Sequence, residues 1–273
     1  MRKVTARKMV SSNLGGSGYE AQSVVAVFPV VALALCSGSG LHAQTQLTLL
    51  SPNPITEPLD KIVANFQAKT GIQVKITYGT GVSTKKTVAD GGALDVTLLF
   101  APFPEALQTG NIVKESPTVV AQLRLGMGVK KGAAKPDTST AAGVKKALLE
   151  AKSISAIDPA QGSAGGVAQA ALEKLGITDA VKDKIHLLRN AGMVQDAVAK
   201  GESDIALGPY YSEMRNPGLD AAPLPPDAST PVEITGFLST SVKDTKAAKS
   251  LLDYLKGPEA APIWSEAKVF PVK

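Results

Sequence analysis

The amino-acid sequence predicts an α/β protein built as two lobes. From Leu47 onward, short apolar runs alternate with segments whose apolar residues recur every three or four positions. This alternation is typical of βα units packed around mixed, mostly parallel sheets. The units occur in two batches, and the second batch interrupts the first, so the chain crosses between the lobes at least twice. A chain of 273 residues is long enough to give both lobes a buried core.

The first batch opens with a strand over 47–50. A helix follows, in which Ile62 and Phe66 belong to one apolar face, and Gly71 ends it. An apolar segment over 123–129 predicts a strand that leads into the second batch. The elements between them are a strand over 74–78, a short helix within 83–92, a strand over 95–100 and a helix over 104–109.

The second batch begins after a polar loop. Its predicted elements are helices over 141–151, 167–175 and 193–200 and strands over 154–157 and 204–208. A proline-rich stretch, 217–231, is expected to be irregular, and a strand over 234–240 returns the chain to the first lobe. Helices over 245–256 and 262–267 complete the prediction. The expected lobe limits are therefore 44–127 and 233–273 for lobe I and 128–232 for lobe II.

Residues 1–43 have the pattern of a secretory signal peptide. Basic residues come first, an apolar run occupies 24–35, and a small, polar segment offers a cleavage site after Ala43. The apolar run is too short to span a bilayer as a stable helix. We therefore expect export to the periplasm with no stable membrane insertion after cleavage, the alternative being an uncleaved anchor.

Charge and cysteine usage exclude several classes of protein. Four of the 29 basic and one of the 24 acidic side chains lie in residues 1–43, so the rest of the chain is nearly neutral. It has no excess of basic residues of the kind that binds nucleic acid. The single cysteine, Cys36, lies in the same segment, and His186 is the one histidine beyond it. A thiolate nucleophile and a histidine-rich metal site are therefore excluded, and no cofactor is expected.

Glycines and hydroxyl residues cluster where predicted strands end and helices begin. Such positions lie at the carboxyl edge of an α/β sheet, where unpaired helix N–H groups and the helix dipole favour an anion. Arg124, at the first crossing, can pair with a carboxylate. The alternative is that the hydroxyls only cap helices and that Arg124 forms a surface or hinge salt bridge. The candidate ligand-binding residues are Ser51, Asn53, Thr80, Gly81, Ser83, Arg124, Ser163, Ala164, Gly165 and Tyr210.

Several motifs resemble those of the periplasmic molybdate-binding proteins of ABC importers. The second strand is followed by the turn "GTG" at 79–81, the third contains "DVTLL", and the second lobe carries "DPAQGSAGG" and then "ALEKLGI". The tail "AAKSLLDYLKGPEAAPIW" is similar to that family's closing helices, and the resemblance extends over about 46–270. It implies a type 2 periplasmic-binding-protein fold, in which two lobes close on one anion held by hydroxyl and backbone N–H groups.

The resemblance also assigns individual positions. The family's first serine slot holds Pro54, which has neither a hydroxyl nor an N–H group, so Ser51 or Asn53 would take its place. The hydroxyl set is thus altered, which leaves a molybdate-like oxyanion and an organic acid both open as ligands. The other assignments are a second serine near Thr80 or Gly81, a second-lobe turn at Ser163, Ala164 and Gly165, a further backbone N–H near Ala191, and a tyrosine within one residue of Tyr210.

Two functions from different classes follow from this resemblance. The first is a monomeric periplasmic solute-binding protein that delivers a small anion to an ABC permease. The second is an enzyme of the related periplasmic aconitate isomerase branch, which shifts a proton next to a double bond. That reaction needs a base, for which His186, Tyr210 and Glu213 are candidates by residue type alone. Otherwise Glu213 and Asp204 are expected to face solvent or to cap helices. A purely structural role is disfavoured by the glycine- and serine-rich turns in both lobes.

Overall fold

Two mixed β-sheets with flanking helices form the protein, as shown by a computed structural model that describes residues 46–92, 94–161 and 163–272. The α/β prediction is therefore confirmed. The predicted signal peptide and Cys36 lie outside the described residues. Within the described part of the chain, no helix is long and apolar enough to cross a membrane.

The strands and helices alternate along most of the chain. The strands are β1 (Gln46–Pro52), β2 (Gln73–Gly79), β3 (Val96–Phe100), β4 (Thr118–Leu123), β5 (Leu125–Lys130), β6 (Ile154–Ile157), β7 (Ile185–Leu188), β8 (Ile205–Pro209), β9 (Leu219–Pro223), β10 (Val232–Leu238) and β11 (Phe270–Pro271). The α-helices are α1 (Thr56–Thr70), α2 (Gly81–Ala89), α3 (Pro104–Gln108), α4 (Ala141–Glu150), α5 (Ser163–Lys174), α6 (Thr178–Val181), α7 (Ala191–Lys200), α8 (Tyr210–Glu213), α9 (Thr245–Lys256) and α10 (Ala261–Glu266).

The first sheet, which defines lobe I, has the strand order β11-β4-β10-β3-β1-β2. Strand β1 pairs in parallel with both neighbours, so Leu49 lies opposite Ile76 and Val96. Strand β10 runs antiparallel between β3 and β4. Because β1, β2 and β3 are parallel, their carboxyl ends meet at one edge of the sheet, which is where α/β proteins bind ligands.

The second sheet, which defines lobe II, has the strand order β7-β6-β8-β5-β9. Strand β6 is parallel to β7 and β8, and β5 is antiparallel to β8 and β9. Gly126 of β5 lies opposite Gly208 of β8 and Pro223 of β9. The centre of this sheet therefore contains strand positions without side chains, and their consequence is described below.

The largest apolar core belongs to lobe I, where α1, α9 and α10 pack on the sheet. Helix α1 buries Ile62 and Phe66 as the periodicity predicted, and Gly71 ends it with a φ of 75° in the left-handed region. Trp264 of α10 is fully buried, and its indole N–H donates to the carbonyl of Leu255 at 2.8 Å. These contacts fix the helices that support the lobe I edge of the ligand site.

The chain changes sheets at Arg124. Strand β5 confirms most of the strand predicted over 123–129 and begins the second sheet. Strand β4, which ends at Leu123 in the first sheet, was not predicted. Leu123 and Leu125 are both apolar and buried, so the pattern carries no sign of the change of sheet between them. The chain returns to lobe I through 224–231, between β9 and β10.

Among the other differences from the prediction, two bear on the cleft and on lobe II. Helix α5 begins at Ser163, four residues before the predicted start, so the small-residue turn is itself the first turn of the helix. The stretch 217–231, predicted to be irregular, contains the edge strand β9. Its Pro223 is the last residue of an edge strand, where a missing N–H group is tolerated.

Candidate ligand-binding site

A cleft of about 710 Å³ lies between the lobes, beside both crossings. A volume of this size is in the range of small-molecule sites. Lobe I lines it with Pro54, Lys85, Phe100, Ala101 and Pro102, and lobe II with Ser163, Ala164, Gly166, Val167, Ala170, Ala171, Pro209 and Tyr211. The crossings contribute Leu123, Arg124, Leu125, Ser229, Thr230, Pro231 and Val232.

Two helix N-termini meet at this cleft. Gly81 begins α2 in lobe I and Ser163 begins α5 in lobe II. A methyl group at Gly81 would lie 3.3 Å from Oγ of Ser163 and 3.4 Å from the ring of Phe100, so the two helix starts are at contact distance. The first N–H groups of a helix have no partner within it, and both dipoles direct positive charge to the same place. This geometry favours an anion.

Two cationic side chains lie in the cleft wall. The guanidinium carbon of Arg124 lies 4.0 Å from the ring centre of Phe270, and its buried Nε has no hydrogen-bond partner among the described residues. Lys85 is half-buried, and burial lowers its pKa, an effect that Glu105 opposes. None of the described lining residues is acidic. The charged side chains of the described lining, Lys85 and Arg124, are therefore both cationic.

The rest of the wall is largely apolar. Phe100 and Leu123 approach it from lobe I, and Leu125, Val167 and Pro209 face them from lobe II. An apolar wall gains free energy by covering hydrocarbon, at roughly 25 cal/mol per Å² of apolar surface removed from water. This part of the lining can therefore cover the hydrocarbon of a ligand.

Four of the predicted ligand residues lie at the cleft. Arg124, Ser163 and Ala164 line it directly, and a methyl group at Gly81 would lie within 3.3 Å of the Ser163 hydroxyl oxygen. The sequence could identify them because turns at strand ends and a cation at a lobe crossing are visible without a structure. Their role in binding remains a prediction.

The first turn of lobe I differs from what the sequence suggested. Pro54 lines the cleft, whereas Ser51 is fully buried and its hydroxyl donates to the carbonyl of Pro52 at 3.4 Å. Asn53 is exposed, and its backbone carbonyl accepts from the Thr56 hydroxyl. Neither Ser51 nor Asn53 belongs to the described lining, so the residue of this turn that faces the cleft is Pro54.

Thr80 and Ser83 form a helix cap. The Thr80 hydroxyl accepts from the N–H of Ser83 at 2.9 Å, and the Ser83 hydroxyl donates to the Thr80 carbonyl at 3.2 Å. Both side chains are exposed, and neither lines the cleft. The capping alternative therefore accounts for the contacts that both side chains make.

We expect Thr80→Ala to lower the free energy of unfolding by about 1 kcal/mol, because it removes the side-chain acceptor of the cap. Urea unfolding measures this loss. Thr140→Ala is the matched control, since Thr140 caps α4 by accepting from Gly143 at 3.1 Å and does not line the cleft. Both variants should bind ligand like the wild type, and weaker binding by Thr80→Ala alone would show that Thr80 has a role beyond the cap.

The remaining predicted ligand residues lie behind the cleft wall. Gly165 is buried against the end of β6, and Ala191 starts α7, capped by Asn190, without reaching the lining. Tyr210 donates its backbone N–H to the carbonyl of Arg124 at 3.0 Å, and its neighbour Tyr211 lines the cleft instead. Burial raises the pKa of Tyr211 to about 12, so its phenol is neutral at physiological pH.

The candidate bases do not lie in the cleft wall. His186 is exposed on β7, and Asp204 is exposed and accepts from the N–H of Lys152, as expected of a surface residue. Glu213 was expected to face solvent or to cap a helix, and this is wrong, because only 1% of its surface is exposed. Its surroundings are described under the further inference.

Sequence patterns missed three polar lining residues. Lys85 follows the "GTGVST" turn directly, but the pattern does not distinguish it from its neighbour Lys86. Ser229 and Thr230 belong to the second crossing, which the proline-rich composition marked only as irregular. Of these three residues, Lys85 alone could have been found from the sequence, because position 85 lies one helical turn after Gly81 and on the same helix face.

Two α/β lobes joined by two crossings, with helix N-termini meeting at the cleft, define a two-lobed periplasmic binding protein. The chain belongs to the family described as bacterial extracellular solute-binding protein, whose profile matches residues 47–267. This confirms the resemblance seen in the sequence and shows that the protein is of an exported, solute-binding kind.

Individual relatives support the same assignment. The chain is 27% identical over 247 residues to the molybdate-binding protein ModA of Azotobacter vinelandii, covering 86% of this chain and 96% of that protein. It is 26% identical over 250 residues to the aconitate isomerase of a Pseudomonas species, covering 88% and 94% respectively. The solved substrate binding domain of a putative molybdenum ABC transporter from Clostridium difficile has a TM-score of 0.74 at 17% identity, covering 84% of this chain and all of that one, which shows a shared fold.

Proposed function

We propose that the protein is a periplasmic solute-binding protein for an organic anion with at least two negative groups. The observation that carries this proposal is the pair of cations, Lys85 and Arg124, in a cleft whose described lining contains no acid. A divalent organic acid would place one carboxylate near each cation and its hydrocarbon against the apolar wall. Charge-assisted hydrogen bonds of this kind are stronger than neutral ones.

The altered lobe I turn argues against a compact oxyanion as the ligand. A tetrahedral oxyanion needs donors on all sides, because a buried acceptor without a partner costs about 1–3 kcal/mol. Pro54 presents neither a hydroxyl nor an N–H group, and the buried Ser51 cannot reach past it. A larger acid can leave its hydrocarbon part against Pro54 at no such cost.

Export and delivery complete the proposal. Residues 1–43 would direct the chain to the periplasm as a cleaved signal. The crossings at Arg124 and at 224–231 would act as hinges that let the lobes close on the ligand. The closed monomer would then present its ligand to an ABC permease, as the name of the Clostridium difficile relative indicates for that protein.

A thermal-shift screen tests the ligand class. Molybdate, tungstate and sulfate are compared with citrate, cis-aconitate and trans-aconitate at equal ionic strength. The proposal expects stabilisation by one or more of the tricarboxylates that grows with their concentration, because a ligand of the folded state raises stability by mass action. Stabilisation by molybdate and tungstate alone would reject the organic acid and retain an oxyanion-binding protein.

A second function, isomerisation of an unsaturated acid, is favoured by one observation. Lys85 lies in the cleft wall, and burial lowers its pKa. The unprotonated amine, which is the form that can accept a proton, is therefore more populated than in an exposed lysine. Such an amine could take a proton from carbon next to a carboxylate and return it at another carbon. The similarity to the Pseudomonas aconitate isomerase supports this candidate.

Proton NMR of trans-aconitate incubated with the protein tests this second function. Turnover would replace the vinyl signal of the trans isomer by that of the cis isomer, and Lys85→Gln should abolish it while Lys86→Gln should not. If the screen establishes binding of trans-aconitate and the spectrum is unchanged after prolonged incubation, the isomerase function is rejected and the solute-binding function is retained.

A further inference from the structure

Glu213 is an acidic side chain enclosed within lobe II. It is 1% exposed, and neither carboxyl oxygen has a hydrogen-bond partner of good geometry among the described residues. It does not line the cleft. Leaving a buried acid unpartnered is costly, so its position calls for a role that the binding site does not explain.

Three glycines form the recess that holds this carboxyl group. A methyl group at Gly126 would collide with Oε2 of Glu213, and one at Gly208 would lie 3.2 Å from Oε1. One at Gly128 would lie 3.6 Å from the carboxyl carbon. Gly126 and Gly208 are register partners on adjacent central strands. The recess therefore exists because these strand positions carry no side chains, a known use of glycine within strands.

Glu213 belongs to α8, a single helical turn between β8 and β9 of lobe II. Tyr211 of the same turn lines the cleft and packs against the lobe I core. The ring of Tyr210 lies 6.1 Å from that of Phe270 in lobe I, and its N–H donates to the carbonyl of Arg124. Two side chains of the turn thus reach lobe I, while the Glu213 carboxyl group lies against the lobe II sheet.

The surroundings favour the uncharged form of the carboxyl group. Burial raises the pKa of Glu213 well above its usual range, and the backbone N–H of Gly208 opposes this only in part. The ionised group would need water, which the recess excludes. The elements packed against α8 are β5, β8, β9 and α7, and the neutral Gln195 of α7 donates to Ser212. The titratable groups on α8 and on these elements, with the residue just before β5, are Tyr210, Tyr211, Arg124, Lys130, Asp196, Lys200 and Asp220.

We propose that Glu213 is a positioning residue which, seated as the neutral acid in the glycine recess, holds α8 on the lobe II sheet and thereby keeps Tyr211 in the cleft wall. The inference does not depend on the identity of the ligand. When α8 lifts from the sheet, Glu213 becomes hydrated and ionises like an ordinary glutamate. The seated form is therefore fully favoured below the ordinary glutamate pKa and loses stability as the pH rises towards the pKa of the folded state.

Hydrogen exchange of the α8 amides tests the proposal without a ligand. The amides of Tyr210 and Met214 bond to the carbonyls of Arg124 and Tyr210, and their protection factors report lifting of the turn. In the wild type, protection should fall by up to about tenfold per pH unit between pH 5.5 and 7.5, because one proton is lost on lifting. Glu213→Gln imitates the neutral acid and should remove this pH dependence while keeping protection.

Glu202→Gln is the matched control, because Glu202 is an exposed acid of the same lobe. It should keep the wild-type pH dependence. A Glu213→Gln variant with the wild-type dependence would overturn the proposal, as would a wild type without any. If that variant does not fold, the ¹³C shifts of the glutamate carboxyl groups in the wild type decide. One glutamate carboxyl group should have a titration midpoint at a clearly higher pH than the others. If all glutamates titrated together, the proposal would be overturned.

Discussion

Gly165→Ala is expected to destabilise the protein by about 3 kcal/mol, because the added methyl group has no room. It would lie 2.6 Å from the nitrogen of Pro159 and 2.7 Å from the carbonyl carbon of Asp158, and it would also collide with the carbonyl oxygen of Ile157. These are backbone atoms at the end of β6, so they cannot move aside as a side chain does. Urea unfolding measures the loss directly.

Gly166→Ala is the matched control for this substitution. A methyl group at Gly166 meets no atom within 4 Å, and the position lies in the first turn of the same helix. Its stability should stay the same or rise by up to about 1 kcal/mol, since alanine is the better helix former. Equal losses in the two variants would contradict the close packing of α5 against β6 at Gly165.

Lys85→Gln is expected to weaken binding of the best tricarboxylate from the screen by roughly tenfold to a hundredfold. A hydrogen bond to a charged group contributes about 1.5–3 kcal/mol, and each 1.4 kcal/mol changes the dissociation constant tenfold. Calorimetric titration of wild type and variant at one ionic strength gives the ratio. The half-buried position of Lys85 in the cleft wall makes screening by salt weaker than at the surface.

Lys86→Gln separates the local effect of Lys85 from the general effect of charge. Lys86 is the next residue of α2, but its side chain is 73% exposed and forms an ion pair with Asp90 at 2.7 Å. The variant has the same net charge as Lys85→Gln and should bind nearly as well as the wild type. If both variants lost the same affinity, long-range electrostatics rather than a contact at Lys85 would explain the loss.

Much of the fold was predictable because local patterns agree with the tertiary structure. The apolar face of α1 and its end at Gly71 could be predicted from the sequence, as could β1, β2, β3 and β10 of lobe I. The change of sheet at Arg124 was hidden because the residues on either side of it, Leu123 and Leu125, are both apolar and buried. Hydrophobic periodicity reports burial, and it does not report which sheet buries a strand.

The candidate site was predictable only in part, because side-chain direction depends on tertiary packing. Lys85 and Lys86 are equivalent in the sequence, yet the position of α2 turns one to the cleft and the other to solvent. Tyr210 and Tyr211 differ in the same way, since one helical turn decides which of them reaches the wall. The recess that holds Glu213 depends on Gly126 and Gly128, which are far away in the chain.

A crystal structure of the protein grown with the tightest-binding acid of the screen tests the central claim most directly. The account predicts one carboxylate within hydrogen-bond distance of Lys85, another at Arg124, and the hydrocarbon of the acid against the apolar wall near Phe100. It would be contradicted by a ligand that leaves both cations in solvent, or by a compact oxyanion held between Gly81 and Ser163 with the rest of the cleft filled by water.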